Sequence, residues 1–167
     1  SLRYTCIGGV KMELRIYTPP ASQGAGFDIQ GITEYASAVS FTTSFYHKGT
    51  FQITMPWGET YADALQSGNL VLLDKLFTGQ IDTVTYSAAS TGRLVTAQGV
   101  EIPGLAGRFL CLPSSFTTQG TIRLQTITGS TEALIKKLWQ ENVLAPPQSW
   151  RPSLHGLTLA TNQNRGI

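Results

Sequence analysis

Few side chains in this sequence have the types and spacing that catalysis or metal binding requires. The two histidines, His47 and His155, lie far apart, and no H-x-x-x-H or C-x-x-C spacing accompanies them. The G-x-S-x-G nucleophile elbow, the Walker phosphate loop and the dinucleotide glycine fingerprint are also missing from the sequence. We therefore predict no metal ion, no cofactor and no catalytic residues in this chain.

Two arrangements of separated residues keep hydrolysis open as an alternative. A triad could join His155 to one of the many serines and to Asp74 or Asp82, because triad geometry does not depend on chain order. Glu59 and Asp63 could form a carboxylate pair of the kind that glycosidases use. Helix capping and first-turn electrostatics explain these two carboxylates more simply. A cell-wall hydrolase is thus the third of three functional hypotheses.

The tryptophans suggest a different chemistry, because indole rings can stack on sugars. Trp139 falls on the apolar stripe of a predicted helix, and we expect it in the core. Trp57 and Trp150 each lie near Gly or Pro, so they are candidate surface-binding aromatics, with packing beneath a loop as the other interpretation. They support the second hypothesis, a carbohydrate-binding or adhesion module.

The composition favours a protein that is covered by neighbouring molecules. Charged residues make up 13% of the chain, against roughly 25% in typical soluble domains. Thr, Ser, Gln and Gly replace them, and a surface so poor in charge favours association. The net charge of +2, with scattered Lys and Arg, is not a nucleic-acid footprint.

Membrane insertion and disulfide stabilisation are not indicated by the sequence. The longest apolar runs, such as residues 70–73, are far too short to cross a bilayer. Cys6 and Cys111 are too few for a disulfide framework, which favours free thiols and folding in a reducing cytoplasm.

Alternation of apolar and polar residues predicts that most of the chain is antiparallel β. Residues 39–45 and 51–55 form a hairpin around the turn His47-Lys48-Gly49. Residues 21–31 are predicted to be a glycine-rich loop. In residues 96–113 the apolar side chains recur at steps of three and four, which predicts one or two helical turns packed over the sheet. Further strands are predicted at residues 13–17, 70–74, 77–86, 94–100, 121–126 and 157–159.

Two helices are predicted besides these strands. Residues 60–66 form a short one, with Thr60 as cap, Asp63 completing a capping box and Gly68 at the exit. A longer amphipathic helix begins at Ser130 or Thr131 and ends before Pro146-Pro147. Its first turn contains Glu132, and its apolar stripe contains Leu134, Ile135, Leu138, Trp139 and Val143. The predicted class is α+β, mainly antiparallel β and barrel-like, with one short and one longer amphipathic helix.

The chain divides into three segments on this interpretation. Residues 1–11 are predicted to be a non-native upstream segment, because codons for Gly-Gly-Val before Met12 can spell a ribosome-binding site. Residues 12–113 form the barrel-like domain. Residues 114–167 form a helix-plus-strand appendage.

Several segments, in this order, carry a family resemblance. They are L-R-I-Y-T-P from Leu14, F-T-T-S-F-Y-H-K-G-T-F-Q-I-T-M-P from Phe41, G-N-L-V-L-L-D from Gly68, T-G-Q-I-D from Thr78, Q-G-V-E-I-P-G-L-A-G-R-F-L-C-L-P from Gln98, and L-T-L-A-T-N-Q-N-R-G from Leu157. With the helix from Glu132 they cover nearly everything after Met12. The ordered set resembles the N-terminal part of the siphovirus ReqiPepy-type tail protein family, the baseplate hub or tail-associated proteins of long-tailed phages.

The resemblance implies a non-enzymatic structural role in the virion tail of a phage or prophage, after synthesis in the host cytoplasm. It implies that residues 12–113 are a hub domain and that residues 114–167 begin a second hub domain that is truncated. Such hubs assemble with themselves into a ring, commonly a trimer, and contact the distal tail protein and the tape-measure protein. DNA passes such a ring without specific binding, which suits sparse, scattered cations.

Overall fold

A computed structural model describes residues 2–7, 12–22, 25–43, 47–89, 92–108, 111, 126–147, 153 and 155–166. The chain divides into two compact units. The first comprises Ser1–Pro20 and Gly26–Leu105, and the second comprises Ala21–Ala25 and Ala106–Ile167.

The first unit is built on one antiparallel sheet of eight strands in the order β1-β4-β5-β8-β7-β6-β2-β3. This sheet confirms the prediction of a mainly antiparallel β protein. The strands are β1 Leu2–Ile7, β2 Leu14–Thr18, β3 Asp28–Thr33, β4 Ala38–Thr43, β5 Thr50–Pro56, β6 Leu70–Leu73, β7 Phe77–Ala89 and β8 Gly92–Glu101.

The predicted hairpin between β4 and β5 is confirmed, and it carries much of the core. Phe41 lies opposite Phe51 in the register, and both are buried, whereas Gln52 is exposed on the other face. Phe77 packs its ring 5.2 Å from that of Phe41 and 5.6 Å from that of Phe51, measured between centroids. Burial of alternate residues therefore separates an apolar inner face from a polar outer face.

Glycine allows β7 and β8 to approach the Phe51 ring. A Cβ added at Gly79 or Gly99 would lie 2.6 or 2.7 Å from Phe51 Cε1, closer than van der Waals contact permits. At Gly99 it would also collide with the backbone carbonyl of Gln80. These two glycines thus set the packing distance in the centre of the sheet.

The predicted loop at residues 21–31 is wrong in its second half. Residues 28–33 form β3, which pairs with β2 through a register shift between Ile16 and Tyr17. Gly31 belongs to this strand because the Tyr61 ring occupies the space where a side chain would project. The glycine marks a close approach rather than a turn, a distinction that composition does not reveal.

The predicted short helix at residues 60–66 is also wrong. The structure contains only a 3-10 turn, Ala62–Ala64, and the preceding residue is Tyr61, with a left-handed φ of 71° and no capping side chain. A residue in this conformation cannot continue an α-helix from Thr60, so the predicted capping box does not form.

The helical turns predicted within residues 96–113 are confirmed in the part that is described. Residues Ile102–Arg108 form a 3-10 helix in which Leu105 is buried. The predicted pattern comprised Ile102, Leu105, Ala106, Phe109 and Leu110, and the last two lie outside the described residues. Cys111 is an exposed free thiol.

The longer helix of the second unit begins where predicted. Helix α1 spans Thr131–Trp139 and continues as a π-helical turn, Gln140–Leu144. The Ser130 hydroxyl accepts a 3.4 Å hydrogen bond from the Ala133 amide, and Glu132 lies in the first turn.

The predicted apolar stripe of this helix is buried only toward its end. Val143 is buried, but Ile135 is 52% exposed and Trp139 is half-buried, so the expectation that Trp139 lies in the core is wrong. The predicted strand at residues 157–159 does not form either. The following residues bind the start of α1 instead of a sheet. Most of the strand predicted at residues 121–126 lies outside the described residues.

Candidate functional site

Trp57 continues the course of β5 beyond Pro56. Its amide donates a 2.8 Å hydrogen bond to the Arg93 carbonyl on β8, so the backbone holds the indole at the end of the sheet. The next residue, Gly58, has a φ of 114°, a conformation that ends the strand. Trp57, a candidate surface-binding aromatic, is 47% exposed. Trp150 lies outside the described residues.

A second aromatic, Tyr86, accompanies Trp57. The two rings form an edge-to-face pair, with centroids 4.8 Å apart and an interplanar angle of 83°. Tyr86 is 59% exposed, so neither ring is buried by the contact. Tyr86 was not predicted from the sequence, because only the pairing of β5 with β8 and of β8 with β7 brings it beside Trp57.

The two rings line an open groove of about 380 Å³ at the end of the β7–β8 hairpin. Ser87 and Arg93 add a hydroxyl and a guanidinium, and Ala88 and Leu94 complete the lining. Aromatic faces beside hydrogen-bond donors can bind a ligand with an apolar face and a polar rim, such as a sugar ring.

The outer face of the sheet forms a second candidate surface, which we call the neutral face. It consists of eight outward Ser, Thr and Gln side chains of β4, β5, β8 and β7: Ser40, Thr42, Gln52, Thr54, Thr83, Thr85, Thr96 and Gln98. The Gln98 amide nitrogen donates a 3.1 Å bond to Gln52 Oε1, and the Thr54 and Thr96 hydroxyls lie 3.1 Å apart. Part of this face lines a depression of about 550 Å³.

The neutral face can form hydrogen bonds without the desolvation cost of buried charge. A carboxylate or ammonium group taken out of water needs a charged partner, whereas hydroxyls and amides satisfy one another. Interface cores are accordingly depleted in charged residues. Asp82 is the acidic residue among the described residues that line the same depression.

Three of the residues considered for hydrolysis, His155, Asp63 and Glu59, take part in local contacts. His155 contacts Ser153, with 3.1 Å between Ser153 Oγ and Nε2, a contact made within one turn of the chain. Asp63 lies in the 3-10 turn, while Glu59 precedes it and donates its amide to the Pro56 carbonyl. None of these contacts defines a reaction by itself.

Metal-binding clusters and membrane-spanning helices are both absent from the described part of this chain. Within the described ranges, no group of three or more His, Cys, Asp or Glu side chains is placed to hold a metal ion. No helix in this part of the chain has both the length and the apolarity needed to span a bilayer.

A cluster of charged residues in the second unit holds the backbone that follows residues 157–159, where a strand was predicted. The Glu132 carboxylate accepts bonds from Lys136 Nζ at 2.6 Å, from the Gln163 amide at 3.1 Å and from the Arg165 amide at 3.0 Å. The hydrogen bonds from Arg165 and Lys136 lower the pKa of Glu132 far below its usual range, and Glu132 raises the pKa of Arg165. Lys136 also donates to the Thr161 carbonyl at 2.8 Å. We call these residues the Glu132 cluster.

The sheet, the groove and the neutral face define a mainly antiparallel β protein with surfaces suited to assembly or binding. Residues 13–167 match the family described as Siphovirus ReqiPepy6 Gp37-like protein, and the chain belongs to this family. The resemblance noted in the sequence is thereby confirmed. Siphoviruses are long-tailed phages, so family membership supports a structural role in a phage tail.

A search of curated protein sequences found no match. Among solved structures, the chain is similar to the tail protein from Neisseria meningitidis MC58, with 12% sequence identity and a TM-score of 0.49. The similarity covers 90% of this chain and 41% of that one, so the present sequence spans less than half of that protein's length. This likeness is too weak to carry a statement about fold or function.

Proposed function

We propose that this protein is a non-enzymatic component of a phage or prophage tail, a baseplate hub domain that joins the tail tube to the tail tip. The observation that carries the proposal is the family match over residues 13–167. In this proposal residues 12–113 form the hub domain and residues 114–167 begin a second one. The protein acts in the virion tail after synthesis in the host cytoplasm.

The proposed mode of action is homo-oligomeric ring assembly. A ring subunit needs surfaces that lose water at low cost, and the Gln52–Gln98 and Thr54–Thr96 pairs of the neutral face provide such a surface. A wall around a DNA path must also avoid retaining DNA, and each cation held against a phosphate would add affinity. The chain has 12 Lys and Arg among its 167 residues, and these sparse, scattered cations suit such a wall.

The proposed partners are sister copies in a ring, commonly a trimer, with the distal tail protein and the tape-measure protein at its two ends. DNA is a passing rather than a bound partner. The purified chain should be examined alone and with the distal tail protein of the same phage, by light scattering and electron microscopy. We expect the chain to form rings, and we expect these rings to be closed when the distal tail protein is present. A chain that stays monomeric and ignores that protein would overturn the proposal.

The Trp57–Tyr86 groove supports a second candidate function, carbohydrate binding or adhesion at the tail tip. Both rings are exposed, and Arg93 and Ser87 supply donors beside them. Titration of the chain with oligosaccharides from the host cell wall should quench tryptophan fluorescence. The response should disappear in Trp57→Ala and persist in Trp139→Phe, a control in the other unit. An unchanged titration curve in Trp57→Ala would remove this candidate.

A further inference from the structure

We propose that the chain carries an open strand edge, residues 84–88 of β7, which pairs antiparallel with the same edge of a second copy around a two-fold axis through Tyr86. This contact goes beyond ring closure, because a two-fold contact joins two chains, or two rings, rather than passing from subunit to subunit around a ring.

The open edge exists because β7 is much longer than its neighbour β6. Leu70 and Leu73 of β6 pair with Gln80 and Phe77 of β7. Beyond them, Asn69 accepts the Ile81 amide at 2.9 Å, and Ser67 Oγ donates to the Asp82 carbonyl at 2.8 Å. No described strand lies beside β7 on this side after Asp82, although β8 continues to pair with it as far as Ala89.

The hydrogen bond from Trp57 identifies which backbone groups face outward. In a β-strand, the amide and the carbonyl of one residue point to the same side. Since the Arg93 carbonyl points toward β5 to accept this bond, the backbone of Arg93 forms no hydrogen bond with its partner on β7. Hydrogen-bonded and non-hydrogen-bonded pairs alternate along an antiparallel ladder, so Val95 and Ala97 also form no backbone hydrogen bond with β7. Their partners on β7 are Ala88, Tyr86 and Val84, so these three residues direct their amides and carbonyls toward the open edge.

This edge lacks the usual protection against strand pairing. Natural edges carry Lys, Pro or bulges that prevent association. Residues 84–88 read V-T-Y-S-A, without charge or proline, and the register shift between Ile81 and Thr83 lies before the segment rather than within it. Thr85, Tyr86, Ser87 and Ala88 are exposed. An unprotected edge of strand-favouring residues is a surface on which another strand can pair.

The second copy is the occupant that the register fits. When the segment pairs antiparallel with itself about Tyr86, Val84 meets Ala88 of the partner subunit, and each outward-facing residue meets another outward-facing residue. The amides and carbonyls of Val84, Tyr86 and Ala88 then form hydrogen bonds with those of the same segment in the partner subunit. Thr85 lies opposite Ser87 of the partner subunit, so no like charges meet. The two tyrosine rings come together at the centre of the contact, as aromatic anchors do in interfaces.

The test uses the proposed register about Tyr86. Sedimentation of the full chain at several concentrations gives its mass, and from this the dissociation constant of the dimer. Thr85→Lys with Ser87→Lys places like charges opposite one another twice, and we expect the dissociation constant of the dimer to rise at least about tenfold. Thr85→Lys with Ser87→Glu places opposite charges there and should restore the constant to within about threefold of the original. Thr78→Lys, at an exposed position of β7 that pairs with β6, is the matched control and should change nothing.

Two further variants test the contact without introducing charge. Ala88→Pro removes an outward amide while leaving the β7–β8 bonds intact, and it should weaken the dimer. Tyr86→Cys, with Cys6 and Cys111 replaced by Ser, should form a disulfide-linked dimer on mild oxidation, whereas Thr78→Cys in the same background should not. Circular dichroism confirms that each variant is folded.

Failure of this inference is distinguishable from failure of ring assembly. Rings that form normally and respond to none of the residue 85–88 variants would overturn the two-fold contact alone. A monomeric chain at all concentrations would overturn it as well. Dimers that respond equally to both charge pairs would refute the Tyr86 register. Protection of residues 84–88 from hydrogen exchange only on addition of the distal tail protein would assign the edge to that protein instead.

Discussion

Arg165 binds Glu132 twice, through its backbone amide at 3.0 Å and through its guanidinium, whose Nε and terminal nitrogen lie 3.3 Å from the two carboxylate oxygens. The backbone of the same segment accepts bonds from the helix start, from Thr131 to Gly166 and from Glu132 to Arg165. The first turn of α1, whose amides have no partner within the helix, is thus satisfied by the end of the chain. These bonds engage residues 163–166 at the start of α1, where they form no strand.

The Glu132 cluster should make the second unit sensitive to acid. Because the folded pKa of Glu132 lies below its ordinary value of 4.5, the stabilisation is complete above that value and is lost as the pH falls toward the folded pKa. Hydrogen exchange of the Gln163 and Arg165 amides should accelerate, relative to its intrinsic rate, as the pH drops below about 4.5.

Two variants separate this effect from general acid unfolding. Glu132→Gln should already show fast exchange at neutral pH and little further change on acidification. Glu141→Gln, which removes a longer ion pair of 3.8 Å with Lys137, should behave as the unmodified chain does. Equal acid sensitivity in the Glu132→Gln variant would show that another group is responsible.

The cap of α1 should also contribute measurable stability. Ser130→Ala removes the hydroxyl that accepts the Ala133 amide, and such losses cost about 1 kcal/mol. Helical circular dichroism should therefore melt at lower temperature in this variant, whereas Ser130→Asp, which retains an acceptor, should preserve the original melting curve. Equal melting of Ser130→Ala and the unmodified chain would show that the cap is not needed.

Gly99 should tolerate no side chain. A Cβ there collides with the Gln80 carbonyl and with the Phe51 ring, so Gly99→Ala should lower the free energy of unfolding by about 1–3 kcal/mol. Denaturant titration measures this loss. Gly107→Ala provides the control because no described residue lies within 4 Å of the methyl group that it adds, and its effect should stay within about 0.5 kcal/mol.

Charge on the neutral face should impair assembly without unfolding the chain. Gln52→Lys with Gln98→Lys replaces a hydrogen-bonded pair by two facing cations, and we expect fewer rings by light scattering at low salt. Gln52→Lys with Gln98→Glu should recover part of the assembly. Normal rings from the doubly cationic variant would exclude the neutral face from the ring contacts.

The sequence predicted those elements whose signals are local. The β4–β5 hairpin follows from alternation around His47-Lys48-Gly49, and the start of α1 follows from Ser130 and Glu132. The short helix at residues 60–66 had the same kind of signal, but the left-handed backbone of Tyr61 prevents it. The β3 strand was missed because Gly31 is explained by Tyr61, a residue distant in sequence.

The candidate site likewise contains one residue that the local sequence predicted and others that it did not predict. Trp57 was predicted from its flanking Pro56 and Gly58, which allow exposure. Tyr86 and Arg93 were not predicted, since their place beside Trp57 depends on strand register across β5, β8 and β7. Trp150 lies outside the described residues, and its exposure stays a prediction.

The amino-acid sequence by itself determined the family, the scarcity of charge and the alternation that makes most of the chain antiparallel β, because composition and short-range periodicity are properties of neighbouring residues. Only the tertiary structure decided which strands lie side by side, that β7 extends beyond β6, and that Arg165 returns to Glu132. Those outcomes depend on contacts between residues far apart in the chain, and their energies come from packing and hydrogen bonds that no local pattern encodes.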